Sequence, residues 1–331
     1  MMAMDINTKS VMKNAYRITK VRTKTALRIR IPGGCLNAKH FDLIQHIAEE
    51  YGDGTVHLTT RQGFEISGID YADIPEINRM ITPLIQDLEF GMAIKDPAGG
   101  YPSAGTRNIA ACIGSRVCPF ANYDTTSLAK RIEKEIYPND HHVKIALTGC
   151  PNDCIKSRMN DFGIVGMVEP QYDTRRCIGC EACVRNCAKQ VTGALAMHQG
   201  KVKRDKRRCI GCGECILKCP TAAWTRRPIK FFDILIMGRT GKKNPRIAEQ
   251  FIQWANEDVV IHVIKNTYKF IDQYIDRSLP KEHIGYIVDR TGYQVFRDSV
   301  LEGIQINPDA RVAEHVQWGG FRYSSDIFLS D

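Results

Sequence analysis

The chain has 331 residues, 43% of them hydrophobic, enough for a sizeable core and two or three domains. It contains no run of eighteen apolar residues, and Met1 to Arg17 lacks the apolar stretch of a secretory signal, so the expectation is a cytoplasmic protein without membrane insertion. The formal charge of +9 is unevenly placed, but no recognition module or aromatic stacking pattern accompanies it, which argues against nucleic acid as the partner.

From Thr25 to Ile31, apolar Ala26, Leu27, Ile29 and Ile31 nearly alternate with Arg28 and Arg30, predicting a strand closed by Pro32-Gly33-Gly34. A helix follows, with Phe41, Leu43, Ile44, Ile47, Ala48 and Tyr51 on one face and Gly52 as its stop. Short strands are predicted at Thr55 to Thr59 and Phe64 to Ser67. A second helix then runs from Ile74 or Pro75 to Leu88, capped by Asp73 and buried through Ile77, Met80, Ile81, Leu84, Ile85 and Leu88. The order β-α-β-β-α describes a small α+β sandwich. Lys95 to Gly105 is Gly-rich and reads as a linker or active-site loop. A helix from Thr125 to Ile136, striped by Leu128, Ile132 and Ile136, and a strand from Val143 to Thr148 lead into Gly149-Cys150. Residues 168 to 226 are cysteine-rich and basic, an inserted domain by their composition, and helical sequence is expected to resume near Pro245.

Of thirteen cysteines, eight lie between Cys177 and Cys219, which in a chain of this length points to metal rather than disulfides. Cys177, Cys180, Cys183 and Cys187 form C-x2-C-x2-C-x3-C, and Cys209, Cys212, Cys215 and Cys219 repeat it 32 positions later. This is the spacing of a two-cluster [4Fe–4S] ferredoxin, in which the fourth cysteine of each run ligates the other cluster. Cluster 1 is then Cys177, Cys180, Cys183 and Cys219, and cluster 2 is Cys209, Cys212, Cys215 and Cys187. Paired zinc sites are the alternative, and the tight threefold spacing suits them poorly. Ala188 stands where the first run would usually carry proline, as Pro220 does after the second. From Lys201 to Lys230 ten Lys and Arg face only Asp205 and Glu214, a basic shell suited to anionic clusters.

A second set comprises Cys112 and Cys118, spaced C-x5-C, and Cys150 and Cys154 in Gly-Cys-Pro-Asn-Asp-Cys. Buried free thiols are the competing explanation. Followed by a strand and this second pair, the pattern resembles the sirohaem/[4Fe–4S] signature of the sulfite and nitrite reductases. The resemblance extends to Leu58-Thr59-Thr60-Arg61-Gln62, to Thr106-Arg107-Asn108 and to Lys144. It implies that Cys112, Cys118, Cys150 and Cys154 hold a third [4Fe–4S] cluster and that Cys154 is also the axial ligand of the sirohaem iron. It further implies that Arg61, Arg107 and Lys144 bind the oxyanion and supply protons, with Thr60, Gln62 and Asn108 beside the cofactor. His142 stands where the family often has lysine; a structural role is its competing reading. Arg239, in the basic segment Gly238 to Lys243, is a candidate for the sirohaem carboxylates, although the segment lacks P-loop spacing. Cys35 belongs to neither set.

The expected fold class is α+β: a sirohaem sulfite/nitrite reductase half-repeat with a small ferredoxin-like α/β sandwich and an inserted 2×[4Fe–4S] bacterial ferredoxin module. The expected domains are 1–95 (sandwich), 96–167 with 227–331 (sirohaem/[4Fe–4S] domain) and 168–226 (ferredoxin module). A single half with such an insertion resembles the dissimilatory and anaerobic sulfite reductases. What this implies is a six-electron reduction of sulfite to hydrogen sulfide on sirohaem. No G-x-G-x-x-G opens a helix after a strand, so electrons must come from elsewhere. The resemblance implies a flavin subunit oxidising NADH and an additional iron–sulfur subunit. Nitrite reduction to ammonia is one rival; the other is an electron-transfer subunit without its own catalysis.

Overall fold

The computed structural model describes residues 15–88, 107–137, 139, 141–241, 245–279 and 282–316. The expected Lys95–Gly105 loop, Thr106 and Lys242–Lys243 lie outside them.

Strands β1 (Tyr16–Ile18) and β2 (Lys24–Ile29) are followed by helix α1 (Phe41–Glu50), strands β3 (His57–Leu58) and β4 (Phe64–Asp70), and helix α2 (Ile74–Asp87). They form an antiparallel sheet of order β1-β2-β4-β3. Ile44 and Ile47 of α1 and Ile77, Ile81 and Leu84 of α2 bury themselves against Leu27, Ile29, Ile66 and Ile69. Strand β1 is absent from the sequence-based expectation, because three residues carry no readable period; its Tyr16 hydroxyl donates to Asn78 Oδ1 of α2 at 2.9 Å. Three details differ from expectation. Phe41 is half exposed rather than in the buried stripe, and the strand expected at Thr55–Thr59 shrinks to two residues. Asp73 ends a 3-10 turn in helical geometry and makes no side-chain cap.

A six-stranded sheet of order β14 (Arg311–Val312), β13 (Glu249–Ala255), β12 (Phe231–Ile236), β7 (Phe162–Met167), β6 (Ile145–Thr148) and β5 (Ala110–Ala111) forms the main body. Its chain order is β5 (Ala110–Ala111), α3 (Thr125–Ile136), β6 (Ile145–Thr148) and β7 (Phe162–Met167), with β5, β6 and β7 parallel. Asp124 caps α3, its Oδ1 accepting from the Thr126 and Ser127 amides.

After Met167 the chain leaves the sheet through β8 (Pro170–Tyr172), α4 (Ala182–Gln190), β9 (Leu195–His198), β10 (Lys201–Arg204), α5 (Glu214–Lys218) and β11 (Trp224–Arg226). This excursion has its own small core of Cys183, Cys187, Ala194, Leu195, Val202 and Trp224. The 32-residue repeat is visible in its backbone. The Arg175 amide donates to Asp173 Oδ1 at 2.9 Å and the Arg207 amide to Asp205 Oδ1 at 2.8 Å. Left-handed residues likewise recur at Gly179 and Gly211, and at Glu181 and Gly213.

The chain returns as β12 (Phe231–Ile236) antiparallel to β7, then β13 (Glu249–Ala255), α6 (Glu257–Tyr274), α7 (Ile284–Thr291), α8 (Tyr293–Leu301) and β14 (Arg311–Val312). Helical structure therefore resumes at Glu257, not near Pro245. Two strands intervene, and short apolar runs such as Phe231–Ile236 do not reveal by periodicity whether they are strand or buried helix. Helices α3, α6, α7 and α8 cover one face of the sheet through Leu128, Ile132, Val263, Ile287 and Phe296. Among the described residues, no helix is long and apolar enough to cross a membrane.

Candidate functional site

Parallel pairing places the first cysteines. Ala111 of β5 stands opposite Leu147 of β6, and the Cys112 amide donates to Leu147 O at 3.0 Å. Cys112 and the Gly149-Cys150 turn therefore leave adjacent strand ends together. The Gly149 amide donates to Cys112 Sγ at 3.1 Å, and a Cβ on Gly149 would meet Ala121 Cβ at 2.5 Å, so only glycine fits. Asp153, in a left-handed conformation, accepts from the Ser157 amide at 2.6 Å and the Arg158 amide at 3.3 Å, fixing the turn that bears Cys154. Burial, and then the nearby thiols of Cys118, Cys154 and Cys112, raise the Cys150 thiol above its ordinary range. All four cysteines are thus neighbours, with Cys150 buried and Cys154 exposed.

In the excursion, Cys183 and Cys187 lie on α4, Cys215 lies on α5 and Cys219 caps it. Burial, then Cys209, Cys212, Cys183 and Cys187, push the Cys215 thiol up. Burial pushes Cys212 up to about 11, with Cys209 and Cys187 adding to it. Burial also raises Cys183, which senses Cys219. Cys187 thus neighbours the second run and Cys219 the first. Among the described residues no group of three or more His, Cys, Asp or Glu could hold a single metal ion as placed. The chemistry of each set, four free thiols, fits a [4Fe–4S] core.

Two of the expected cations, Arg61 and Arg107, meet where the N-terminal sheet abuts the main one. A cavity of about 270 Å³ is lined by Arg17, Arg28, Arg30, Thr60, Arg61, Arg107 and Asn108 among others. Arg61 donates to Asn160 Oδ1 at 3.0 Å and to the Asn108 carbonyl. The Asn108 amide in turn donates to Ile31 O at 3.0 Å and Arg61 O at 2.6 Å. Burial lowers the Arg61 pKa to about 10, with Asp161 opposing and Arg107 assisting the shift. Burial, then Arg28 and Arg17, lower Arg107 as well. Arg107 lies 2.8 Å from His142 Nδ1, and the His142 ring stands 5.8 Å from that of His283, whose Nδ1 is 3.3 Å from Asp161.

Not every expected residue lines the cavity. Gln62 exchanges two 2.7 Å hydrogen bonds with the Ala111 backbone. Lys144 sends its Nζ to Thr240 O at 3.2 Å while its amide donates to Asp161 at 2.9 Å. Arg239 lies 3.8 Å over the Tyr286 ring and 3.7 Å from Asp289, near enough to Asp161 to sense it. Sequence reasoning passes over Arg28, Arg30, Asp161 and His283. The two arginines alternating just before Pro32-Gly33-Gly34 are a usable signal; Asp161 and His283 give none, being 122 residues apart.

The sequence profile of the nitrite and sulphite reductase 4Fe-4S domain matches residues 103–307, and that of the nitrite/sulfite reductase ferredoxin-like half domain matches residues 19–84. The chain is 43% identical over 321 residues to an anaerobic sulfite reductase subunit of Salmonella typhimurium, covering 96% of this chain and 95% of that protein. It is 32% identical over 164 residues to the coenzyme F420-dependent sulfite reductase of Methanocaldococcus jannaschii, covering 49% of this chain and 24% of that protein. The crystal structure of dissimilatory sulfite reductase I superposes with a TM-score of 0.65 at 18% identity, covering 86% of this chain and 73% of that one, which shows a shared fold. The chain is therefore a member of the nitrite and sulfite reductase family, built on that family's fold.

Proposed function

We propose that this chain is the catalytic subunit of a sulfite reductase, binding sirohaem and three [4Fe–4S] clusters and reducing sulfite to hydrogen sulfide. The observation that carries this reading is the pair Arg61 and Arg107. Both guanidiniums are largely buried at one cavity, and among the described residues neither has a carboxylate at ion-pair distance. Buried cations held by neutral partners suit an arriving dianion. The long match to a protein named as part of a sulfite reductase favours sulfite over nitrite.

Cys112, Cys118, Cys150 and Cys154 would hold the sirohaem-coupled cluster, Cys154 would also ligate the sirohaem iron, and Thr60, Asn108 and Arg239 would help to hold the macrocycle. Bound sirohaem supplies the iron at which sulfur is reduced and a fast connection to the cluster's electrons. Arg107 and Arg61 offset the charge of sulfite and orient it. His142, in contact with Arg107, holds a proton within reach of the same cavity, and Asp161 with His283 stands behind it. Lys144 is tied to Thr240 and Asp161 and fixes the strand leading to Cys150. The domains proposed are the sandwich of 1–95, the sirohaem domain of 96–167 with 227–331, and a ferredoxin module of 168–226. Because the Salmonella relative is named as one subunit of several, we place a flavin subunit oxidising NADH and a further iron–sulfur subunit upstream.

The test is the visible spectrum of the anaerobically purified chain before and after sulfite under reducing conditions. Tetrapyrrole bands that shift with sulfite are expected; iron–sulfur absorption alone would refute the catalytic role. Arg107→Gln should retain the bands and lower sulfite turnover by about 10²-fold.

A further inference from the structure

The two cysteine runs of the excursion are sequence repeats with unlike surroundings. The loop from Cys209 to Gly213 is pressed against the main body. A Cβ on Gly211 would come 2.9 Å from Met167 Cβ and 3.0 Å from Trp254, and one on Gly213 would come 3.1 Å from Val168. Both glycines are left-handed, at φ +64 and +79. The equivalent loop from Cys177 to Glu181 faces solvent: Ile178 is 69% exposed, Cys180 is exposed, and a Cβ on Gly179 would meet only Gly200 O, at 3.4 Å. Where the buried loop has Gly213, the exposed one has Glu181.

One residue joins the buried loop to the other cysteine set, through its backbone N–H on one side and its side chain on the other. The Asn122 amide N–H donates to Gly149 O at 2.7 Å. Its Nδ2 donates to Gly166 O at 3.2 Å and Gly211 O at 3.4 Å, and its Oδ1 accepts from Arg226. Arg226 also donates to Pro119 O at 3.3 Å, and the Val168 amide to Gly211 O at 2.9 Å. Gly149 directly precedes Cys150, and Gly211 lies between Cys209 and Cys212. Two hydrogen bonds through one residue thus connect backbone beside Cys150 to backbone beside Cys212.

We propose that Asn122 is a positioning residue for electron transfer. It holds the set Cys187, Cys209, Cys212 and Cys215 as the inner centre, which passes electrons to the set Cys112, Cys118, Cys150 and Cys154. The set Cys177, Cys180, Cys183 and Cys219 is the outer centre, which receives them. This role rests on the reading of the three sets as iron–sulfur clusters. Each transfer moves one electron: the inner centre is oxidised by one, the sirohaem-coupled centre is reduced by one, and no bond or proton is exchanged. The reductant at the outer centre is a low-potential one-electron iron–sulfur protein.

The experiment mixes the anaerobic, cofactor-loaded chain with a reduced small ferredoxin and follows each centre by freeze-quench EPR. In Asn122→Ala, the two ferredoxin-type centres should fill at the wild-type rate while reduction of the coupled centre slows about tenfold or more. Arg226→Met, which removes only the grip on Asn122 Oδ1 and Pro119 O, should give the same pattern more weakly and carries the test if Asn122→Ala fails to fold. A coupled centre that fills at the wild-type rate in the folded variants, with all clusters present, overturns the proposal alone. Wild-type chain without ferredoxin-type signals overturns the cluster reading and the proposal with it.

Discussion

Replacing Gln62 by methionine separates two roles for this side chain, cofactor contact and backbone clamp. In the structure its amide completes the outer edge of β5, exchanging 2.7 Å bonds with both the N–H and the C=O of Ala111. Ala111 is buried and its other edge pairs with β6. Methionine keeps the length of glutamine but offers no matching donor or acceptor, so two buried backbone groups lose their partners. Each such loss costs about 1–3 kcal/mol, giving roughly 2–6 kcal/mol of local destabilisation. Hydrogen–deuterium exchange of the peptide spanning residues 107–112 measures it, and the expectation is at least about 30-fold faster exchange at Ala111. Because Cys112 is the next residue, iron content should fall in step. Unchanged exchange together with lost tetrapyrrole would refute the clamp and return Gln62 to the cofactor.

Two further outcomes follow from charge. Burial lifts the Asp233 carboxyl from 3.8 to about 6, opposed by its 2.9 Å bond from Gln250. The fold therefore favours the protonated form, and stability is lost as pH rises from about 4 to about 6, by about 3 kcal/mol in all. Asp233→Asn should be more stable than wild type by denaturant titration, with an advantage near pH 7.5 about twice that at pH 5; a gap independent of pH would contradict this. Glu169 accepts from Arg227 at 2.6 Å and Arg204 at 3.1 Å, tying the excursion to the chain that returns as β12. Glu169→Ala should expose the basic stretch around Lys206 to trypsin several-fold sooner; unaltered cleavage would show that the latch carries no such load.

What can be read from the sequence is local. The helix Thr125–Ile136 is predicted with its observed bounds because its stripe of Leu128, Ile132 and Ile136 lies within a single dozen residues. The cysteines are legible for the same reason, since thiol spacing along the chain limits which thiols can share a centre. Strand β12 escapes prediction because burial on both faces erases the alternation that marks a strand, and β13 because its buried residues fall in adjacent pairs, Phe251 with Ile252 and Trp254 with Ala255. The site roles of Arg61 and Arg107 emerge only through family resemblance. The partners of the cavity arginines have no sequence signal at all: Arg30 meets Glu133 across 103 residues and Arg61 meets Asn160 across 99. Asn122 has no signature of its own, since its meaning lies in Gly211, 89 residues away.

The electrostatics of the cavity turn on which cations are already neutralised. Of the five arginines lining it, Arg17 and Arg28 share Glu65, at 3.1 and 2.6 Å, and Arg30 is paired with buried Glu133 and lies 5.0 Å over the Tyr137 ring. Among the described residues, Arg61 and Arg107 have only neutral acceptors and an imidazole. The carboxylate nearest in influence, Asp161, is engaged by the Lys144 amide and His283. Taking two guanidiniums out of water without a counter-ion is unfavourable, and the depressed pKa of Arg61 expresses that cost. Folding tolerates it because neutral hydrogen bonds fix the side chains in place, which also prevents them from relaxing toward a protein carboxylate. An anion of charge −2 entering the cavity would meet donors that need no reorganisation, which is the electrostatic basis of the anion-binding role proposed for Arg61 and Arg107.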